Sequence, residues 1–232
     1  MTKTAVDIRN LYQCYQESGN DHEIFTDLNF TVEQGEFIVL LGRSGSGKST
    51  MLNLISGIDL PASGELLVNG VDLTILSEHD RTLFRRRNIG FVFQSYNLIP
   101  TLTVEENLLL PLELVKRDGA EGRERVVELL DSLGLGNRLQ SYPDRLSGGE
   151  QQRIAIARSL IHDPALILAD EPTGNLDLET GQQVLALLDD LAREKGKTLI
   201  MATHSREVIG KADRIFTIKD KGLVEINNDN HS

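Results

Sequence analysis

The sequence has little of what secreted and membrane-spanning chains usually contain. It has one cysteine, Cys14, among 232 residues, so it can form no internal disulfide, which suits a reducing compartment. No apolar run approaches the roughly 20 residues that are needed to cross a bilayer. The N-terminal segment lacks the charged and apolar blocks of a signal peptide. We therefore expect that any passage through a membrane belongs to another chain.

Basic charge is also scarce. The chain has 24 Lys and Arg against 35 Asp and Glu, which gives a formal net charge of −11. This balance argues against tight nucleic-acid binding and against adsorption onto anionic lipid, because both need clustered basic charge. The one basic cluster, Arg85–Arg87, is interpreted as a solvated helix end that precedes a strand starting at Ile89. The length suits one α/β domain with a sizeable core.

What the sequence does have is a glycine-rich stretch after the apolar run Phe37–Leu41. Residues Gly42–Thr50 read GRSGSGKST, which fits the pattern of loops that bind nucleoside triphosphates. Glycines let backbone N–H groups approach phosphate oxygens, and the following helix offers its positive end. We expect Lys48 to reach the β- and γ-phosphates and the Ser49 hydroxyl to bind Mg²⁺. The predicted phosphate contacts are Gly42, Arg43, Ser44, Gly45, Ser46, Gly47, Lys48, Ser49 and Thr50. The alternative is a simple Gly/Ser-rich turn, which the flanking strand and helix patterns disfavour.

Two carboxylates follow a second apolar run, Ala165–Ala169, which has the pattern of a buried parallel strand. Ligands of open α/β sheets bind at the carboxyl ends of the strands, where Asp170 and Glu171 would emerge. Asp170 suits Mg²⁺, which prefers hard oxygen ligands. Glu171 could accept a hydrogen bond from the water that attacks the γ-phosphate. Alone, the pair would more often be a solvated strand end, but the upstream loop favours a catalytic site.

Several further motifs, in one order and at one set of spacings, resemble those of the ATP-binding cassette (ABC) ATPases. LSGGE at Leu146–Glu150 resembles the signature of the family, and LILADEPTGNLD at Leu166–Asp177 resembles its Walker B strand and D-loop. Gln94 matches the Q-loop glutamine, and His204 matches the switch histidine. The resemblance covers nearly the whole chain. Two departures are visible: Ser205 stands where many members have Asp, and the D-loop reads GNLD instead of the commoner serine-alanine form.

The resemblance implies an α/β fold, a P-loop NTPase with a parallel core sheet, an antiparallel β-subdomain and an inserted helical subdomain. It implies ATP and Mg²⁺ as the ligands of the site. Tyr15 would stack on adenine, with Tyr12 a less favoured candidate. The expected catalytic residues are Glu171, His204, Gln94 and Lys48. The expected Mg²⁺ contacts are Ser49, Gln94 and Asp170.

The signature segment has two interpretations. Ser147 and Glu150 fit a capping box that starts a helix, but a cap does not require Gly148 and Gly149, whose bare backbone N–H groups could receive an anion. In the family this anion is the γ-phosphate held by a second subunit. The resemblance therefore implies a homodimer that encloses two ATP molecules. The expected nucleotide contacts outside the phosphate loop and Tyr15 are Ser147, Gly148, Gly149 and Asp177.

The order of motifs predicts a single domain with an insertion. Residues of about 1–94 and 150–226 would form the nucleotide-binding core with the β-subdomain, about 95–149 the helical subdomain, and 227–232 a polar tail. Local patterns are more specific. The β-like runs are Val6–Tyr12, Phe30–Leu41 and Gly64–Gly70. The predicted helices include Glu121–Leu133 and Glu179–Arg193. A capping box is expected at Thr103–Glu106 and a hairpin at Arg214–Ile226.

The predicted function follows from the resemblance. The chain would bind and hydrolyse ATP as a subunit that drives an integral membrane permease from the cytoplasmic face of the cell membrane. Gln94 would be the hinge of the helical segment. Ser95–Thr101 would face the permease, and a core-packing role for Tyr96, Leu98 and Ile99 is the equal alternative for each of these side chains. The chain looks most similar to the cassettes of lipoprotein-releasing and macrolide-export systems, whose permeases have four helices and a periplasmic domain. A cell-division cassette is the close alternative. A soluble ABC ATPase acting on DNA or ribosomes, or a P-loop kinase, fits less well.

Overall fold

The strands of the described residues form two sheets. The computed structural model describes residues 3–17, 20–194 and 196–226, and the predicted polar tail, 227–232, lies outside the described residues. In chain order the elements are β1 (Thr4–Glu17), β2 (Asn20–Glu33), β3 (Phe37–Leu41), α1 (Lys48–Ser56), β4 (Ser63–Val68), β5 (Val71–Asp72), α2 (Glu78–Asn88), β6 (Ile89–Val92), α3 (Val104–Leu114), α4 (Ala120–Ser132), α5 (Gly148–Leu160), β7 (Leu166–Asp170), α6 (Leu178–Glu194), β8 (Thr198–Thr203), β9 (Arg214–Lys219) and β10 (Gly222–Ile226). Single 3₁₀ turns lie at Gly136–Arg138, Pro143–Arg145 and Arg206–Val208.

The two sheets differ in strand direction. One has the order β2-β1-β4-β5 and is antiparallel throughout. The other has the order β10-β9-β3-β8-β7-β6, in which β9, β3, β8, β7 and β6 run parallel and β10 pairs antiparallel with β9. The predicted hairpin over Arg214–Ile226 is therefore confirmed.

One predicted β-like run is wrong as a single unit. The run Phe30–Leu41 is divided at Gln34 and Gly35, so that β2 belongs to the antiparallel sheet and β3 to the centre of the parallel sheet. Gly35 has a φ of 86°, a left-handed conformation that glycine adopts without strain. Its N–H donates to the Thr198 hydroxyl at 3.0 Å, which fixes the chain as it passes from one sheet to the other.

The parallel strands are buried on both faces, and alternate residues serve two separate cores. Ile38 and Leu40 pack in the core shared with α1 and the antiparallel sheet, whereas Phe37 and Val39 pack in the core shared with α5 and α6. The same alternation occurs in β7 and β8, as the period of two in a strand requires. Continuous apolar runs such as Ala165–Ala169 are explained by this burial.

A third core joins the helices that follow β6. It is formed by apolar residues of α3 and α4 with Ile154, Ala157 and Ile161 at one side of α5. The opposite side of α5 offers Ile156 and Leu160 to the core of the parallel sheet. Helix α5 therefore connects the helical part of the molecule to the sheet that carries the candidate site.

The predicted local signals have different outcomes. The predicted helices over 121–133 and 179–193 are confirmed as α4 and α6, and the capping box of Thr103 and Glu106 is confirmed at the start of α3. Arg85–Arg87 do end a helix, but they are not merely solvated. Arg85 Nη1 donates to the Gly57 carbonyl at 2.9 Å, and burial lowers the pKa of this guanidinium.

Candidate functional site

The phosphate-type loop connects β3 to α1 as predicted. Gly47 precedes α1 with a φ of 100° and provides no side-chain cap, so the first N–H groups of the helix are left for another acceptor. A Cβ at Gly47 would lie 2.9 Å from Ile24 Cγ2, so the position requires glycine for both its conformation and its packing. The N–H of Gly42 donates to the carbonyl of Thr203 at 3.1 Å, which joins the loop to the end of β8.

Lys48 lies under the loop with its side chain 6% exposed. Its Nζ donates to the carbonyls of Gly42 and Arg43 at 2.8 and 3.1 Å. The same ammonium lies 3.5 Å from Oε1 of Glu171. A buried cation is thus held between the loop and the end of β7, at the place where a phosphate group would need positive charge.

Asp170 supplies the observation that tests the fit of a divalent cation. Its Oδ1 is buried and has no hydrogen-bond partner among the described residues. Burial, the largest cause, raises the pKa of Asp170, and a hydrogen bond from the Ser49 side chain offsets part of this. A buried carboxylate oxygen with a free lone pair beside a hydroxyl is a suitable pair of ligands for Mg²⁺, which takes its other ligands from phosphate and water. The residues present therefore fit the ion.

Glu171 and His204 meet at the ends of β7 and β8. Oε2 of Glu171 accepts from the backbone N–H of His204 at 3.2 Å and lies 2.9 Å from its Nδ1. With an ionised Glu171, Nδ1 of the imidazole is the protonated nitrogen of this pair. His204 is 65% exposed, so its ring is open to a ligand, whereas Glu171 is 15% exposed. Glu171 has a φ of 45°, an unusual backbone conformation for a residue other than glycine.

A cleft of about 310 Å³ brings most of the predicted residues together. It is lined by Tyr15, His22, Ile24, Ser44, Gly45, Gly47, Lys48, Ser49, Thr50, Gln94, Asp170 and Glu171. His22 and Ile24 were missed from the sequence. His22 lies directly opposite Tyr15 in the pairing of β1 with β2; the pairing would have revealed it, but the first half of β2 carries no strong strand pattern.

The two tyrosines considered for the nucleobase lie in different settings. Tyr15 lines the cleft, and its hydroxyl donates to Asp59 at 2.9 Å. Burial raises the pKa of Tyr15, and the hydrogen bond to Asp59 helps to orient its ring. The Tyr12 hydroxyl instead donates to Glu23 Oε1 at 3.1 Å, and its pKa is raised to about 12 by hydrogen bonding to Cys14. Tyr12 is not among the residues that line the cleft.

Gln94 lines the cleft and contacts the segment after β7. Its carbonyl accepts from the Asn175 side chain at 3.0 Å. A Cβ at Gly174 would lie 2.8 Å from Nε2 of Gln94, so a larger residue there would displace the end of the Gln94 side chain. The GNLD form of the segment therefore has a local explanation in its contact with Gln94.

The signature segment lies apart from these residues. Among the described residues, none of Leu146–Glu150 lines the cleft. The predicted capping box is confirmed, since the Ser147 hydroxyl accepts from the Glu150 N–H at 3.3 Å and Glu150 Oε2 accepts from the Ser147 N–H at 2.8 Å. Asp177 also caps a helix and lies outside the cleft; its carboxylate accepts from the Thr180 N–H at 3.0 Å.

The two signature glycines have a packing role that the sequence did not suggest. A Cβ at Gly148 would lie 2.9 Å from the hydroxyl oxygen of Tyr96. A Cβ at Gly149 would lie 2.5 Å from Cγ2 of Thr180. Glycine at these positions lets the start of α5 approach its neighbours closely, in addition to any role in binding an anion.

Comparison with known proteins gives this arrangement a family. Residues 25–174 match the family model described as ABC transporter. This chain belongs to the ABC transporter family. An ABC transporter ATP-binding protein of Mycobacterium tuberculosis, itself uncharacterized, is 50% identical, over 98% of this chain and 92% of that protein. The lipoprotein-releasing system ATP-binding protein LolD of Syntrophus aciditrophicus is 41% identical over 94% of this chain and 98% of that protein.

Further relatives extend the comparison to fused proteins and to solved structures. The macrolide export ATP-binding/permease protein MacB of Rhodopirellula baltica is 44% identical over 94% of this chain but only 32% of that protein. The ATP-binding cassette MJ0796, solved as a dimer in a post-hydrolysis state with ADP and Pi, is 39% identical. It covers 97% of this chain and 100% of its own, with a TM-score of 0.87. The predicted fold is thereby confirmed, and the chain is an ABC ATPase that binds and hydrolyses ATP. Within the described residues, no helix combines the length and apolarity needed to span a bilayer.

Proposed function

We propose that this ABC ATPase works as a homodimer that closes around two ATP molecules and drives an integral membrane permease. The contact of Lys48, Glu171 and His204 at the end of the phosphate loop is the observation that carries the proposal. A cation, a carboxylate and an imidazole in contact with one another support a site that would bind and hydrolyse the terminal phosphate of a triphosphate.

The binding roles follow from the lining of the cleft. The N–H groups of the Gly42–Thr50 loop and the ammonium of Lys48 would hold the phosphates, while the ring of Tyr15 would stack on the adenine. Mg²⁺ would be held by Ser49 and Asp170, with Gln94 as a further contact, and when bound it would neutralise charge that develops on the phosphate oxygens.

The hydrolytic roles follow from the ends of β7 and β8. Glu171 would accept a hydrogen bond from the attacking water and orient it in line with the terminal phosphorus. His204 donates to Glu171 through its backbone N–H, which helps to fix the direction of the carboxylate. Lys48 would stabilise the negative charge on the transferred phosphoryl group.

The second half of each site would come from the partner protomer. Ser147, Gly148 and Gly149 lie at the start of α5, outside the cleft of their own chain. This placement, together with the dimeric form of the related cassette MJ0796, supports a pair in which each signature segment contacts the ATP of the other protomer. Asp177 would lie at the same contact.

The permease would be of the type that serves lipoprotein release or macrolide export. The support is the identity to LolD and to the ATPase part of MacB. In such a complex the chain would bind the cytoplasmic side of the membrane, and Ser95–Thr101 would face the permease because it follows Gln94 directly. A four-helix permease with a periplasmic domain is our specific expectation. Co-purification with a membrane protein tests whether the partner is a permease. Retrieval of nucleic acid or ribosomes alone would instead argue for a soluble ABC ATPase that acts on DNA or ribosomes.

Mixed dimers test the shared site. Lys48→Ala should remove the phosphate contacts of its own chain, and Ser147→Arg should block the site of its partner, so each variant alone should be inactive. A dimer with one chain of each type carries both lesions at one of its two sites and leaves the other site intact. Mixing the two inactive variants should therefore restore ATPase activity. Full turnover by either homodimer, or no recovery on mixing, would contradict the proposal.

A further inference from the structure

The carbonyl of Pro172, the residue after Glu171, is held by a buried glutamine to which no motif assigns a role. Gln152, in the second turn of α5, has no exposed surface. Its Nε2 donates to the carbonyl of Pro172 at 2.6 Å. Its Oε1 is buried and has no hydrogen-bond partner among the described residues. A fully buried amide that satisfies only one of its ends costs stability, so stability alone does not explain a glutamine here.

Glu171, the residue before this proline, has a strained backbone. Glu171 has a φ of 45°, a left-handed conformation that is unfavourable for a residue with a Cβ. The residue before a proline favours extended backbone instead. Such a conformation persists only where its surroundings over-determine it. The Glu171 N–H donates to the Ala202 carbonyl at 2.8 Å, the Glu171 carbonyl accepts from the Gly174 N–H at 3.0 Å, and Gln152 fixes the next peptide.

Helix α5 carries both this glutamine and the signature segment. Ser147 is the N-cap of α5, and Gln152 follows five residues later in the same rigid helix. Gly149 lies between them and approaches Thr180, at the start of α6 beyond the strained turn, without a Cβ in the gap. A displacement of the signature segment would therefore move the Gln152 amide and, through it, the Pro172 carbonyl.

We propose that Gln152 is a positioning residue for ATP hydrolysis, which holds Glu171 in its strained conformation and links the direction of its carboxylate to the position of the signature helix. The inference depends on the proposed function, since it takes Glu171 as the group that orients the water. In the dimer it connects the two sites: the ATP of the partner contacts the start of α5, and α5 adjusts the glutamate of its own chain.

Gln152→Met tests the proposal because methionine fills a similar volume without a donor. We expect kcat for ATP hydrolysis to fall by about tenfold or more, since a small displacement of a reacting group has effects of this size. The KM for ATP should stay within about twofold, and the Tm should change by no more than about 2 °C, because the variant also removes the orphaned Oε1. Unchanged kcat, or a fall in kcat matched by a loss of ATP binding, would overturn the proposal.

Gln151→Met is the matched control. Gln151 lies in the same turn of α5, and its Nε2 likewise donates to a backbone carbonyl, that of Leu146 at 3.1 Å. Its amide donates to Leu146 and not to Pro172, so kcat should be retained. A similar loss in both variants would show that any change in this turn disturbs the enzyme, and the specific role of Gln152 would be rejected.

A double-mutant cycle separates this proposal from the proposed function. Glu171→Gln alone should abolish most turnover; if it does not, the catalytic role of Glu171 fails. If Glu171→Gln behaves as expected, adding Gln152→Met to it should change the residual rate by less than about twofold, because a residue that acts through Glu171 has nothing left to position. Multiplication of the two effects would instead reject the positioning role.

Gln152→Leu keeps the proposal testable if Gln152→Met does not fold. Leucine is smaller than methionine and likewise offers no donor to the Pro172 carbonyl. It should lower kcat by a similar factor, and a folded Gln152→Leu protein with wild-type kcat would overturn the inference.

Discussion

The phosphate loop and the signature segment are both glycine-rich starts of helices, but their glycines serve different purposes. In the loop, Gly45 and Gly47 have φ values of 79° and 100°, and α1 has no side-chain cap. At the signature, Gly148 and Gly149 adopt helical backbone inside α5, and Ser147 caps the helix. The loop uses glycine for its left-handed conformation, with a packing contact added at Gly47, whereas the signature uses it for close packing alone.

This difference bears on what each segment can bind. The uncapped start of α1 leaves its N–H groups for a ligand of the same chain. The start of α5 has already used the Glu150 N–H for its cap, and its remaining groups lie outside the cleft. In the proposed function, the start of α1 would bind phosphate within its own protomer, while the start of α5 would contact the ATP of a second chain.

Among the variants that test this difference between the two helix starts, Lys48→Ala should have the largest effect, which is on the affinity for ATP. It removes charge-assisted hydrogen bonds, each worth about 1.5–3 kcal/mol, so we expect the Kd for ATP to rise by about a hundredfold or more. Titration of a fluorescent ATP analogue measures the change. An unaltered Kd would show that the loop binds phosphate without this cation, and the cradle assignment would be rejected.

Gly47→Ala should destabilise the protein by about 2–3 kcal/mol, because it combines a left-handed alanine with a contact to Ile24. Removing the contact through Ile24→Ala should leave most of this loss, since the backbone strain remains. Chemical denaturation of the two single variants and the double variant measures this. Full recovery in the double variant would show that packing, not conformation, requires this glycine.

Gly149→Ala should cost about 1–2 kcal/mol, from overpacking against Thr180. Unlike Ile24→Ala at the phosphate loop, a second change at Thr180 should restore the lost stability. Thr180→Ser removes the interfering methyl group and keeps the hydroxyl. Denaturation of the double variant should return close to the stability of Thr180→Ser alone. If the double variant stays less stable, glycine is needed at position 149 for its backbone conformation, as at Gly47 in the phosphate loop.

Glu150→Gln should have the smallest effect. The Ser147 N–H, which donates to the carboxylate, is the main cause that holds the pKa of Glu150 below its usual range, and Arg138 adds to it. A carboxylate with a lowered folded pKa stabilises the protein above the unfolded pKa of about 4.3, and this contribution is lost as the pH falls through the folded value.

We therefore expect Glu150→Gln to be less stable than wild type by about 0.3–1 kcal/mol at neutral pH, since glutamine can still cap but loses the charge at the helix start. The difference should shrink as the pH falls below about 4. Urea denaturation at neutral and acidic pH measures it. A difference that widens in acid would contradict the assigned sign.

The sequence predicted those parts of the molecule whose signal is local. The phosphate loop, the carboxylates after β7 and the hairpin of β9 and β10 each depend on a short run of residues, and the structure has them where expected. The division of Phe30–Leu41 between two sheets was missed, because both halves have strand character and only the left-handed Gly35 separates them.

Other parts depend on contacts between distant residues. His22 enters the cleft only through its pairing with Tyr15, and Gln152 reaches Pro172 across 20 positions of the chain. Neither pairing leaves a pattern in the residues that surround it. The packing reason for Gly149 was hidden in the same way, since Thr180 belongs to a different helix.

The placement of β8 between β3 and β7 sets a distance that side chains do not control. Adjacent strands lie about 4.8 Å apart, so the ends of β3 and β7 are separated by about 10 Å. The width of the gap between the loop and the two carboxylates is therefore fixed by the main-chain ladder. Redesign of the residues at its rim should alter which ligand is held and how fast it reacts, while the span available to the phosphate chain stays constant.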